Sequence, residues 1–171
     1  MKIFNHPSEL KEHLKKQNIK KKIYLTSGGF DPLHVGHLRC IQGTSRLAEQ
    51  NDGITVIVVN GEDFLLRKKG YAFMPHRERM EIVAGIKGVD YVVGWQNESQ
   101  TVTGAIEIIL PNYFTKGGDR TSSENVPEFI LCSKIGCEVI FNVGGEKIQS
   151  SSSLVDNATN LDVQEMIGYV K

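Results

Sequence analysis

The chain has 171 residues, in which 20 Lys plus Arg are balanced by 20 Asp plus Glu. That balance excludes a global field for nucleic acid or an anionic membrane surface, so any anion must be held by a local site. Cys40, Cys132 and Cys137 form no C-x-x-C pair, which excludes a disulfide framework and a four-thiolate zinc site and favours a reduced, cytoplasmic setting.

The length suits one domain spanning residues 1–171, with its core at about residues 23–156. The opening apolar segment is too short for a signal peptide, and no apolar run approaches the roughly 20 residues of a membrane span. Residues 7–17 carry Leu10 and Leu14 four apart among charges, the pattern of an amphipathic helix with Pro7 in its first turn. The basic run Lys15, Lys16, Lys20, Lys21 and Lys22 reads as a solvated connector to the next strand.

Residues 23–26 and 54–59 are short β-rich runs without polar alternation, as expected of strands buried on both faces. Residues 36–50 form a helix between them, with Leu38, Ile41 and Leu47 inward. A helix follows over residues 76–86 with Met80, Val83 and Ala84 on one face, then a strand at 89–93. Further elements are a helix at 105–110, a strand at 113–115, a helix at 126–135 and a strand at 138–141. Such alternation predicts an α/β fold, a Rossmann-like open parallel sheet with helices on both faces. Ser150 to Ser153 suit a helix N-terminus at least as well as a linker, and residues 160–171 form a separate short helix.

The segment from Ser27 to His37 (SGGFDPLHVGH) lies after the first long strand and opens a helix, the place where doubly wound sheets bind phosphate. Gly28, Gly29 and Gly36 allow close backbone approach, and His34 and His37 are spaced to face the same oxygens. The alternative of a metal site is disfavoured, because no third ligand is near in sequence.

Residues Gly28 to His37 carry the pattern G-x-F-D-x-x-H-x-G-H and resemble the signature of the HIGH-type nucleotidyltransferase superfamily. The resemblance implies that His34 and His37 steady a nucleoside triphosphate and that backbone at Gly29 and Phe30 lines its pocket. It also implies in-line attack by an acceptor phosphate on the α-phosphorus, with magnesium pyrophosphate leaving and no covalent enzyme intermediate.

Lys116-Gly117-Gly118-Asp119, which physics alone would allow as a turn with a capping Asp, resembles the corresponding segment of ADP-heptose synthases. There Asp119 is implied as a ribose or magnesium contact. Ser150, Ser151 and Ser152 resemble the I-S-S-S motif at the start of the superfamily's last helix, with Gln149 where isoleucine or cysteine is usual. Lys147 reads as solvated. Lys69 before Gly70 and Arg79 before Met80 are the cations carried over from the superfamily, with Arg77 as the alternative to Arg79. Trp95, the single tryptophan, reads as structural rather than as an acceptor-pocket floor.

The implied partners are a nucleoside triphosphate and a small phosphorylated acceptor, with no nucleic acid and no membrane, and a homodimer is the expected assembly. The expected activity is adenylyl transfer to a sugar or polyol phosphate. A CTP-dependent cytidylyltransferase, a nicotinate-mononucleotide adenylyltransferase and a nucleotide-sensing module are the alternatives.

Overall fold

The computed structural model describes residues 2–96, 101–118, 127–146 and 148–170. In chain order the elements are β1 (Ile3–Phe4), α1 (Pro7–Lys16), β2 (Ile23–Gly28), α2 (Val35–Gln50), β3 (Ile54–Asn60), α3 (Glu62–Lys69) and α4 (His76–Ala84). They continue as β4 (Tyr91–Trp95), α5 (Thr103–Ile109), β5 (Tyr113–Thr115), α6 (Pro127–Ile135), β6 (Glu138–Ile140) and α7 (Ser151–Val170). The strands form one sheet in the order β1-β4-β3-β2-β5-β6, and every pairing is parallel.

The centre of the sheet follows directly from the apolar runs. All seven residues of β3 are buried, as a strand covered on both faces requires. Successive side chains point to opposite faces. Ile54, Val56 and Val58 therefore join α1, α5 and α6 in one core cluster, while Ile57 and Val59 join α2 and α4 in the other. Register is continuous from Ile23 opposite Ile54 to Gly28 opposite Val59.

Between β2 and β5 the strand order reverses, and there a small polar cluster replaces hydrocarbon. Thr26 Oγ1 donates to the Thr115 carbonyl at 2.9 Å, and Thr44 Oγ1 lies 2.7 Å from Thr115 Oγ1 while donating to the Cys40 carbonyl at 2.8 Å. These buried hydroxyls tie α2 to both strands at the crevice where open α/β sheets bind ligands.

Three features depart from expectation. β1 is a parallel edge strand of two residues, pairing Ile3 with Val92 and Phe4 with Val93, too short to register as a hydrophobic pattern. Lys69, read from the sequence only as a cation near the substrates, ends helix α3, where Glu62 and Asp63 in the first turn and Arg67, Lys68 and Lys69 in the last complement the helix dipole. Gly70, at φ 84, closes it in the left-handed conformation. The serine run and the C-terminal stretch belong to one continuous helix, α7, rather than to two elements. Trp95 is buried, its indole N–H donating to the Thr101 carbonyl at 3.2 Å. Cys132 and Cys137 are buried in the core.

α1 is stitched to this body through Leu10, which is fully buried, and through Lys11 Nζ, which donates to the Ile109 carbonyl at 3.0 Å. Truncating Leu10 removes a buried side chain at the α1 to α5 contact. Leu10→Ala is expected to cost about 2–5 kcal/mol, measured by urea denaturation. A loss below about 1 kcal/mol would mean that α1 adds little to the core.

Candidate active site

The C-terminal ends of β2 and β5 open into a cavity of ≈ 540 Å³. One wall is the loop from β2 to α2 with the first turn of that helix, through Gly29, Phe30, Asp31, His34, Gly36, His37 and Cys40. Facing it are Lys116, Gly117 and Gly118 after β5, the turn at Val143 to Glu146, and Gln149 to Ser152 at the start of α7. Leu65, Lys68 and Lys69 of α3 form a third side.

The three-residue spacing of the histidines is that of a helix N-cap and its third residue. His34 caps α2: its Nδ1 accepts from Gly36 N–H at 3.1 Å, and His37 Nδ1 accepts in return from His34 N–H at 3.2 Å. This reproduces the reciprocal logic of a capping box with two imidazoles. A Cβ on Gly36 would lie 3.0 Å from the His34 ring, so any larger residue would press on the ring where it folds back over the helix start.

The imidazoles stack with centroids 3.7 Å apart and an interplanar angle of 22°. A ring nitrogen that accepts a hydrogen bond carries no proton, so the hydrogen bonds assign both rings the neutral form with the proton on Nε2. Burial, and then the neighbouring His34 and Lys69, push the His37 pKa down to about 3. The pair therefore offers two N–H donors without two buried charges.

Asp31 holds the loop from behind. Its carboxylate is 1% exposed and accepts from the N–H groups of Phe73 and Met74 at 2.7 and 2.6 Å. Lys69 Nζ lies 3.1 Å from its Oδ2, donates to the Asp31 carbonyl at 2.6 Å, and sits 4.6 Å from the Tyr71 ring centroid. On the opposite side, Ser151 Oγ donates to the Pro32 carbonyl at 2.8 Å, joining the start of α7 to the histidine loop. Ser150 Oγ caps α7 by accepting from Ser153 N–H at 3.1 Å.

His34, His37, Lys69, Gly29, Phe30, Gly36, Lys116, Gly117, Gly118, Ser150, Ser151 and Ser152 thus all line one cavity. Two of the anticipated residues do not. Gly28 ends β2 beneath the Phe30 ring, where a Cβ would meet ring carbons at 3.0 Å. Arg79 lies behind the wall, 1% exposed, with its guanidinium donating to backbone carbonyls, so it is not a phosphate contact; Arg77 is exposed and pairs with Glu81. Asp119 and Lys147 fall outside the described residues.

Residues that sequence reasoning passed over include Cys40, whose thiol pKa is pushed up by burial, and the turn at Val143 to Glu146. Only their meeting with the histidine loop in three dimensions brings them to the cavity. Among the described residues, no helix is long and apolar enough to cross a membrane, and no group of three or more His, Cys, Asp or Glu is placed to hold a metal ion.

A family model described as cytidylyltransferase-like matches residues 25–158. Similar curated proteins include bifunctional protein HldE from Hahella chejuensis, 30% identical over 149 residues covering 86% of this chain and 28% of the relative. Bifunctional protein HldE from Haemophilus ducreyi is 30% identical over 157 residues, covering 91% and 30% respectively. The chain therefore spans less than a third of the length of these relatives. Among solved structures, a lipopolysaccharide core biosynthesis protein from Thermoplasma volcanium shares the fold, with a TM-score of 0.56 and 21% identity over 71% of this chain and 96% of that one.

The state of the imidazoles can be checked directly. In ¹⁵N-resolved spectra, His37 is expected to remain the Nε2–H tautomer from pH 8 to about pH 4 and to titrate near 3 instead of its ordinary 6.5. The unfolded chain takes up that proton near 6.5 while the folded one refuses it, so His37's contribution to stability is complete above 6.5 and is lost as pH falls toward 3. A His37 ring titrating near 6.5 would rule out the buried neutral pair.

Proposed function

The chain belongs to the cytidylyltransferase-like family, and from that nucleotidyltransferase scaffold we propose that it transfers a nucleoside monophosphate, from ATP by preference, to a sugar or polyol phosphate. The observation that carries this reading is the pair of neutral imidazoles fixed as Nε2–H donors in a cavity also faced by the start of α7. Donors held in place before reaction stabilise a phosphoryl group as charge accumulates on its oxygens, without rearranging to do so.

In this reading an oxygen of the acceptor phosphate attacks the α-phosphorus, the bond from that phosphorus to the bridging oxygen breaks, and pyrophosphate leaves with the electron pair. His34 and His37 donate to phosphate oxygens. The Ser152 hydroxyl and the N–H groups at the start of α7 receive the phosphates at the positive end of that helix, while the Ser150 and Ser151 hydroxyls hold the helix start and the histidine loop. Lys69 holds the Asp31 carbonyl and adds positive charge at the acceptor side.

Magnesium would enter this site as a companion of the triphosphate, held mainly by the phosphates themselves. The cavity wall is rich in N–H and O–H donors, and both Asp31 oxygens are already occupied. When bound, the ion would neutralise charge on the phosphates; Glu146 is a carboxylate that lines the same cavity, and Asp119, the expected contact, lies outside the described residues. The sugar-phosphate acceptor is supported by the likeness of Lys116-Gly117-Gly118 to ADP-heptose synthases and by the HldE relatives. The family model's own description makes CTP the rival donor.

Pyrophosphate release decides between these readings. Magnesium, each of the four ribonucleoside triphosphates and a panel of sugar, polyol and amino-alcohol phosphates and nicotinate mononucleotide are expected to give product with ATP and a sugar or polyol phosphate. Turnover with CTP alone would reassign the donor; tight nucleotide binding with no product across the panel would make the protein a sensor. In the active pair, His37→Ala is expected to lower kcat by roughly 10²- to 10³-fold with the fold intact. Lys69→Ala is expected to lower kcat/KM for the acceptor by roughly 10- to 100-fold, the scale of a charge-assisted hydrogen bond. Near-normal turnover in either variant would remove that residue from the mechanism.

A further inference from the structure

Arg79 heads the fully buried side chains of the protein by volume, at 1% exposure. Burying a cation is unfavourable unless its donors are met. Here Nε and Nη1 are met by main-chain oxygens from three separate segments. Nε donates to the Met74 carbonyl at 3.0 Å, and Nη1 donates to the carbonyls of Gly29, at 2.8 Å, and Asn60. Nη2 is buried without a partner. Asp31 and Glu62 favour the charged form from nearby, and among the described residues no carboxylate forms an ion pair with it.

The Gly29 contact bears on the cavity. A peptide group is planar and trans, so the carbonyl of one residue and the N–H of the next point in opposite directions. The Gly29 oxygen is drawn down to a side chain behind the cavity wall, while Gly29 and Phe30 both line the cavity. Phe30 itself has φ 52, a left-handed conformation uncommon outside glycine that persists only when its surroundings hold it. Its ring is 4% exposed and packs edge-on to His37 with centroids 5.1 Å apart.

We infer that Arg79 is a positioning residue for nucleotidyl transfer: by holding the Gly29 oxygen it turns the Gly29–Phe30 peptide so that the Phe30 N–H is presented to a phosphate oxygen of the nucleotide. The role rests on the function proposed above insofar as the ligand is a nucleotide phosphate. Three acceptors in separate directions call for a planar fork of donors, and an ammonium on a single stem cannot reach them all. Arg79 also couples the peptide to the 73–74 segment. Asp31 takes the N–H groups of Phe73 and Met74, and Arg79 takes the Met74 carbonyl. A nucleotide held at Phe30 and an acceptor bound beside α3 would therefore share one cross-braced support.

The test combines amide spectra of the parent protein with binding to Arg79→Lys, using each of the four ribonucleoside triphosphates with magnesium and the matching nucleosides. In the parent, the Phe30 amide proton is expected to move downfield on saturation with a triphosphate and to stay in place with its nucleoside. In Arg79→Lys, triphosphate affinity is expected to fall about tenfold, the scale of one hydrogen bond to a charged group, while nucleoside affinity stays within about twofold. A merely structural role would lower both affinities together, and that result would overturn the assignment, as would unchanged triphosphate binding. If Arg79→Lys fails to fold, the Phe30 amide of the parent decides alone. A parent that binds a triphosphate with that amide unmoved removes the role of Arg79 and leaves the proposed function standing. A parent that binds none of the four removes both.

Discussion

The loop between β2 and α2 has no ladder of its own, and it runs half-buried along the cavity wall with Phe30 and Asp31 turned into the protein. Its backbone groups must find partners elsewhere. They find them in charged and polar side chains from four directions: Arg79 on the Gly29 oxygen, Lys69 on the Asp31 oxygen, Ser151 on the Pro32 oxygen and His37 on the His34 N–H. Everything built on the loop inherits its position from these bonds. The imidazoles stack because the cap fixes both rings, and the cap forms because the loop delivers His34 in extended conformation at the helix start. Unlike apolar contact, such bonds leave little freedom in where the loop sits.

The sheet supplies what side chains cannot, which is the crevice. With β2 central and the order reversing toward β5, the two C-terminal ends diverge, and α2 begins at the gap with its free N–H groups. Thr26, Thr44 and Thr115 hold the floor of that gap closed with hydroxyls. Larger apolar side chains there would have to displace this network. The polar floor and the apolar cores on either face of the sheet are thus one compromise between packing and access.

Sequence reasoning recovered the parts whose signal is local. The apolar runs of β2 and β3 and the H-x-x-H spacing have short-range physical causes, and the parallel sheet and the capped histidines agree with them. β1 escaped because a two-residue edge strand is defined by its neighbour β4, not by its own pattern. α3 escaped because sequence reasoning reads Lys69 by its charge alone, while it and its neighbours Arg67 and Lys68 also close a helix that begins with Glu62 and Asp63. Arg79 shows the limit of reading a cation by type. An arginine before a methionine looks the same in sequence whether it faces solvent, phosphate or buried carbonyls, and Met80 at 3% exposure gives no warning that its neighbour is buried as well. Burial of both residues at adjacent positions of one helix follows only from α4 sitting between β3 and the 73–74 segment.

Electrostatics close the account. With no net charge, the chain has no long-range attraction for a polyanion, so attraction must come from within a few ångströms. Burial disfavours a charged His37, and the neighbouring His34 and Lys69 disfavour it further, which depresses its pKa. Neutral rings avoid that cost while keeping oriented N–H dipoles. Arg79 holds a positive charge one layer back, under the loop, while Lys69 stands on the wall with Asp31 as its partner. Oriented dipoles of the imidazoles and the cations of Lys68, Lys69 and Lys116 on the cavity wall together supply the short-range attraction that the neutral chain lacks at long range.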